Sequence, residues 1–212
     1  LRASVGAHGR LTPVEGSVLE MDASDLVAHV QGCDAVASCL GHNLTFKGMF
    51  GRPRKLVTDS VSRVCDAIRQ AEPAAPVRFV LMNTTGVRNR DLDEPRTFGE
   101  TIVMGLLGVL LPPQSDNERA AEYLRTKVGA SDGQVRWVSV RPDGLVDEGS
   151  VTDYSIHPSP IRSPIFNAGS TSRINVAHFM ADLMTDESRW AEWRGRMPVI
   201  YNRADGDPSE ST

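Results

Sequence analysis

A chain of 212 residues, 40% of them hydrophobic, is long enough to bury one substantial core, so one globular α/β-sized domain is expected. The balance of 23 basic against 27 acidic side chains gives a formal net charge of -4, without the excess of positive charge that holds nucleic acid. The three cysteines, Cys33, Cys39 and Cys65, are odd in number and lack C-x-x-C spacing; they indicate neither a disulfide framework nor a zinc site, and they fit a reducing cytoplasm.

In chain order, a strand is expected near Pro13 to Val18, then a short helix in DASDLVAHVQG (22–32), opened by Asp22 or Ser24 and stopped by Gly32. CDAVASCLG (33–41) is a nearly continuous apolar run ended by glycine, which predicts a strand buried on both faces of a parallel sheet. The loop NLTFKGMFGRPRK (43–55) mixes Phe46 and Phe50 with Lys47, Arg52, Arg54 and Lys55. It reads either as a clasp for an aromatic, acidic ligand or as a solvated basic lead into the next helix. That helix, RKLVTDSVSRVCDAIRQA (54–71), sets Val57, Val61, Val64 and Ile68 on one stripe, and VRFVLMN (77–83) follows as a buried strand.

TIVMGLLGVLLPP (101–113) is apolar for about a dozen residues, short of the roughly 20 that span a bilayer. Its glycines and prolines favour a packed segment beside a site over a membrane anchor. DNERAAEYLRTK (116–127) is expected as a helix capped by Asp116, RWVSVRP (136–142) as a strand, NVAHFMADLM (175–184) as the most strongly patterned helix, and MPVIYN (197–202) as a last strand. Residues 1–202 thus read as one domain and 203–212 as a tail disordered by composition. Alternating strands and helices predict βαβ units in a parallel, doubly wound sheet.

Ligands of such a sheet lie beyond the carboxyl ends of its strands. Those ends are CLGHN (39–43), MNTTGV (82–87) and VRPDGL (140–145), each closing an apolar run with small or polar residues and a glycine. No metal-ligand spacing, P-loop or G-x-S-x-G is present. One acid-base pattern is: Tyr123 and Lys127, four apart, which on a helix share a face and let the cation lower the phenol's pKa.

EGSVLEMDASDLVAHVQGCDAVASCLG resembles the second mononucleotide-binding segment of atypical short-chain dehydrogenases in the NAD(P)H-binding, NmrA-like branch. DNERAAEYLR, VRWVSVRPDGL and TSRINVAHFMADLMTD are similar to the later half of the biliverdin and flavin reductase group. The resemblance runs from residue 1 to about 202 and implies a Rossmann-like fold that binds NADP(H). Position by position, it implies that Arg2 faces the adenosine 2′-phosphate and that Gly16, Ser17 and Val18 form the turn at the adenine edge. The family usually has aspartate where this chain has Ser17. Leu40 and Gly41 match the adenine-ribose side, Thr84 and Thr85 the nicotinamide ribose, and Pro142, Asp143 and Gly144 the nicotinamide amide.

In the same register the family's catalytic tyrosine and lysine positions fall on Gln114 and Glu118, so Tyr123 and Lys127 belong to the far end of the helix. Catalysis is then expected as hydride transfer by positioning, to a small-molecule acceptor, with Thr84 or Thr85 as the hydroxyl that orients it. For either threonine, strand-end hydrogen bonding is the competing reading. His42 is open between a proton donor at the cofactor edge and a structural histidine. The family's first βα unit, with its glycine-rich phosphate turn, is expected upstream of Leu1. Two functions remain in view: an NADPH-dependent reductase, and a non-catalytic cofactor-sensing or interaction protein.

Overall fold

The computed structural model describes residues 11–43, 45, 48, 50–92, 94, 99–100, 103, 105–106 and 111–203. Its centre is a five-stranded sheet. The strands are β1 (Ala35–Ser38), β2 (Val77–Met82), β3 (Val135–Pro142), β5 (Tyr154–His157) and β7 (Val199–Asn202), in the spatial order β1-β2-β3-β7-β5. The first four of that order are mutually parallel, with Ala35 opposite Arg78, Val77 opposite Val135 and Arg141 opposite Val199, while β5 runs antiparallel to β7. Two short strands, β4 (Gly144–Val146) and β6 (Ser170–Ser172), pair separately. The helices include α1 (Ala23–Val30), α2 (Leu56–Gln70), α3 (Pro112–Tyr123), α4 (Arg173–Thr185) and α5 (Glu187–Trp193).

Alternation along the strands splits the core into two layers. Val77, Phe79 and Leu81 of β2 face α1, α2 and α3, meeting Leu26, Val30, Val61, Ile68 and Leu124. Val80 points the other way, with Val138, Val140 and Ile200, onto Phe179, Met180 and Leu183 of α4 and onto Trp190 and Trp193 of α5. Covering both faces of a parallel sheet is what makes its strands continuous apolar runs rather than alternating ones, and the expected doubly wound Rossmann-like architecture follows.

Several expectations need correction. No strand forms at Pro13 to Val18; the segment 11–17 is irregular, and β1 lies at the sheet edge with β2 as its one partner among the described residues. Accordingly β1 is shorter than 33–41 and only half-buried, not buried on both faces. Helix α3 begins at Pro112, because prolines suit the first helical positions, whose N–H groups have no intrahelical acceptor. Asp116 therefore lies inside α3 and caps a different helix. A π-helical turn, Leu124–Val128, closes α3 before Gly129 at φ 63°. The strands β4, β5 and β6 and the helix α5 carry no strong periodicity and were not expected. Most of 101–110, and 204–212, fall outside the described residues.

Candidate active site at the carboxyl edge of the sheet

Because β1, β2 and β3 are adjacent and parallel, the turns that follow them sit side by side along one edge. The first, Leu40–Gly41–His42, leaves Leu40 36% exposed, and among the described residues nothing but Gly41's own chain neighbours lies within 4 Å of where a Cβ on Gly41 would stand. A large apolar side chain beside open backbone, just beyond the edge strand β1, fits the flat face of a nucleotide or acceptor ring. The second turn is fastened to the third: the Asn83 N–H donates to the Val140 carbonyl (2.7 Å) and the Thr85 N–H to that of Pro142 (3.1 Å). Thr85 is turned into the fold at 3% exposure. Thr84 is half-buried, and its hydroxyl accepts the Gly86 N–H at 3.4 Å.

At the third turn Pro142 is buried. The Asp143 carboxylate accepts the N–H groups of Gly144 (2.9 Å) and Gly169 (2.8 Å), so it pins the loop before β6 against the end of β3. Gly144 is exposed. Ser17 closes a turn through its carbonyl, and the Val18 carbonyl accepts from Arg63 of α2 at 3.0 Å. Arg2 lies outside the described residues.

Helix α3 ties the edge together. Gln114 donates to the Gly86 carbonyl (3.1 Å) and to Glu118 (3.2 Å), and Asn83 donates to the Asn117 carbonyl (3.2 Å). The positions that the family register gives to a catalytic tyrosine and lysine are thus beside the second turn, occupied by an amide and a carboxylate. Tyr123 is nine residues further on, about 13 Å at helical rise. Its hydroxyl meets Arg69 at 3.4 Å, where Arg69 pairs with Asp132 in the turn leading into β3. That is the opposite end of the sheet.

Three buried polar constellations were not legible as such in the sequence. Asp116, fully buried, accepts the N–H groups of Val57 (2.8 Å) and Thr58 (3.1 Å) and the Thr58 hydroxyl (2.6 Å). It satisfies the first turn of α2 from outside, as a cap does from within. The same carboxylate meets His42 Nε2 at 2.7 Å, and His42 Nδ1 meets the Gly48 carbonyl at 3.3 Å. Both ring nitrogens face acceptors, so His42 is a structural tie and has no proton directed at the open edge. Finally, Arg141 is fully buried against Glu94 (2.6 and 3.1 Å) and the carbonyls of Val87, Met197 and Pro158. A cleft of about 510 Å³ opens between the 87–92 segment and α3, but its mixed arginines and carboxylates are largely paired: Arg125 holds both Asp91 and Glu122. The Arg125 guanidinium holds the Glu122 carboxyl below its usual range.

A mostly parallel sheet with glycine-bearing turns along its carboxyl edge is the dinucleotide-binding class of α/β protein. The chain belongs to the NAD(P)H-binding family, whose model matches residues 2–187. No match was found among curated proteins. Among solved structures it is similar to a short-chain dehydrogenase/reductase from Veillonella parvula in complex with NADP, at 14% identity, 96% of this chain, 78% of that one and a TM-score of 0.61. It is also similar to an anaerobilin reductase from Escherichia coli O157:H7 (17%, 92%, 76%, 0.58). A candidate NADH-flavin reductase from Streptococcus pneumoniae compares at 16%, 90%, 80% and 0.56. At these identities the likeness is one of fold. No helix among the described residues is long and apolar enough to cross a membrane.

Proposed function

We propose that this protein is an NAD(P)H-dependent oxidoreductase that passes hydride from NADPH to a small, aromatic acceptor of flavin or quinone type. The observation that carries the reading is the carboxyl edge itself: an open face at Leu40 and Gly41, the Thr84 hydroxyl on the neighbouring turn, and Gln114 and Glu118 where a proton-transferring pair would stand. When bound, the reduced nicotinamide supplies the hydride. The chain's own residues hold and orient. Leu40 and Gly41 take the adenine-ribose side, Thr84 the nicotinamide ribose, and the Gly144 backbone the amide. Thr85 and Asp143 brace those contacts from within. NADPH rather than NADH is the donor, on the match of Arg2 to the 2′-phosphate position, where a planar guanidinium suits phosphate.

A reaction that only needs two flat rings held face to face, with the acceptor's outer edge open to solvent, requires no protein acid, and solvent delivers the proton at that edge. The names of the reductases of similar fold support this choice of chemistry. The absence of a tyrosine-lysine pair at the edge also suits a cofactor sensor. Measuring NADPH oxidation with flavin and quinone acceptors, beside NADPH binding alone, separates the two: turnover with at least one acceptor is expected, and binding without turnover establishes the sensor.

A further inference from the structure

Between the end of β1 and the start of α2 the chain walls a cavity of about 530 Å³, lined by Phe50, Gly51, Arg52, Pro53, Arg54, Lys55 and Asp59. That volume is in the range of small-molecule sites. Arg52, Arg54 and Lys55 are exposed, and among the described residues none of the three makes an ion pair or a side-chain hydrogen bond. Three cations in four residues repel one another, and among the described residues Asp59 is the one carboxylate on the wall. Such an arrangement is held open for an anion rather than neutralised from within.

The walls are also fixed at both ends. His42 fastens the Gly48 carbonyl to Asp116, and Asp116 in turn holds the first N–H groups of α2. The cationic segment therefore bridges two anchored points instead of hanging as a free loop, which reduces the ordering cost of binding. Phe50, 39% exposed, gives the same cavity an aromatic face. Because the cavity begins at Phe50, eight residues after His42 on the loop leaving the open edge, it lies on the side of the sheet where an acceptor would stand.

We infer that this cavity is the anion subsite of the acceptor: it selects a planar aromatic molecule carrying a phosphate group, with the ring toward Phe50 and the edge and the phosphate on Arg54 and Lys55. The inference rests on the reductase reading for the identity of its ligand, but binding tests it separately. Flavin mononucleotide and riboflavin share one ring system and differ by one phosphate. Titrating each into the protein by flavin fluorescence, flavin mononucleotide is expected to bind about tenfold more tightly, the worth of a charged hydrogen bond. In the double variant Arg54→Gln, Lys55→Gln that advantage disappears, while riboflavin binding and the thermal unfolding curve stay unchanged.

Equal or undetectable binding of the two flavins overturns the subsite, as does an advantage that survives the double substitution. If the variant instead loses affinity for NADPH but not for NADH, the cations serve the cofactor's 2′-phosphate and the subsite is again overturned. Phosphate-dependent flavin binding without NADPH oxidation supports the subsite and removes the reductase.

Discussion

Tyr123 illustrates how little a short motif fixes by itself. A tyrosine and a lysine four apart on a helix satisfy the spacing for proton transfer, yet the hydroxyl ends beside Arg69 at the amino end of the sheet. We expect Tyr123→Phe to leave NADPH-dependent turnover within a few-fold of the parent protein, where loss of a general acid costs about 100-fold or more; a loss that large in a folded variant restores Tyr123, with Lys127, as the proton-transfer pair. Arg141 makes the opposite case. In the sequence Arg141 is one residue of the strand RWVSVRP, but in the fold it carries a buried ion pair and three carbonyl contacts. Arg141→Met leaves Glu94 charged, buried and unpaired. Urea unfolding should show a loss of about 3 to 5 kcal/mol, the usual cost of breaking one side of a buried pair, and a loss under 1 kcal/mol shows that Glu94 reaches water.

Among the elements, boundaries were set by neighbours more than by local sequence. The periodicity of α2 and α4 located them to within about two residues, because a long amphipathic stripe has few alternative placements. Asp116 has the composition of a cap and does cap a helix, but that helix is α2, 60 residues earlier in the chain. Nothing in DNERAAEYL signals this, since the signal is a meeting of two segments. The turn into β3 shows how such a meeting responds to acid. Burial works to raise the Asp132 pKa, but the Gln134 N–H, Arg69 and the Val135 N–H together hold the carboxyl below its usual range. A depressed folded-state pKa contributes stability that is complete above the unfolded value, about 3.9, and is lost as pH falls through the folded value. Asp132→Asn should therefore lower stability at neutral pH and flatten the decline below about pH 4, as followed by chemical denaturation across pH. An acid limb identical to the parent's removes Asp132 from the linkage.

For the whole molecule, the two hydrophobic layers share one sheet: Phe79 and Leu81 serve one side and Val80 the other, on consecutive residues of β2. Neither layer can melt without exposing the back of the other, so unfolding should be a single transition. The tryptophans report on this directly, with Trp137 in the layer of α1 to α3 and Trp190 and Trp193 in the layer of α4 and α5. In Trp137→Phe, fluorescence follows α5 alone and should still coincide with far-ultraviolet circular dichroism through a urea titration; two separated midpoints mean that the layers unfold independently.

What the sequence determined by itself is the part written in local pattern. Apolar runs of strand length between helical stripes required a parallel sheet covered on both faces, and the small residues ending those runs lie along its carboxyl edge, where sheets of this kind take their ligands. Pattern of that kind is dictated by burial, which each residue expresses where it stands. Only the tertiary structure decided which groups meet across that edge: that Gln114 donates to the Gly86 carbonyl of the second turn, that His42 is tied to Asp116, that Thr84 is half-buried while Thr85 is turned inward, and that the Pro13 to Val18 segment stays outside the sheet. Hydrogen bonds and ion pairs between residues 28 to 74 positions apart have no local period, and they exist only once the layers have brought their partners together.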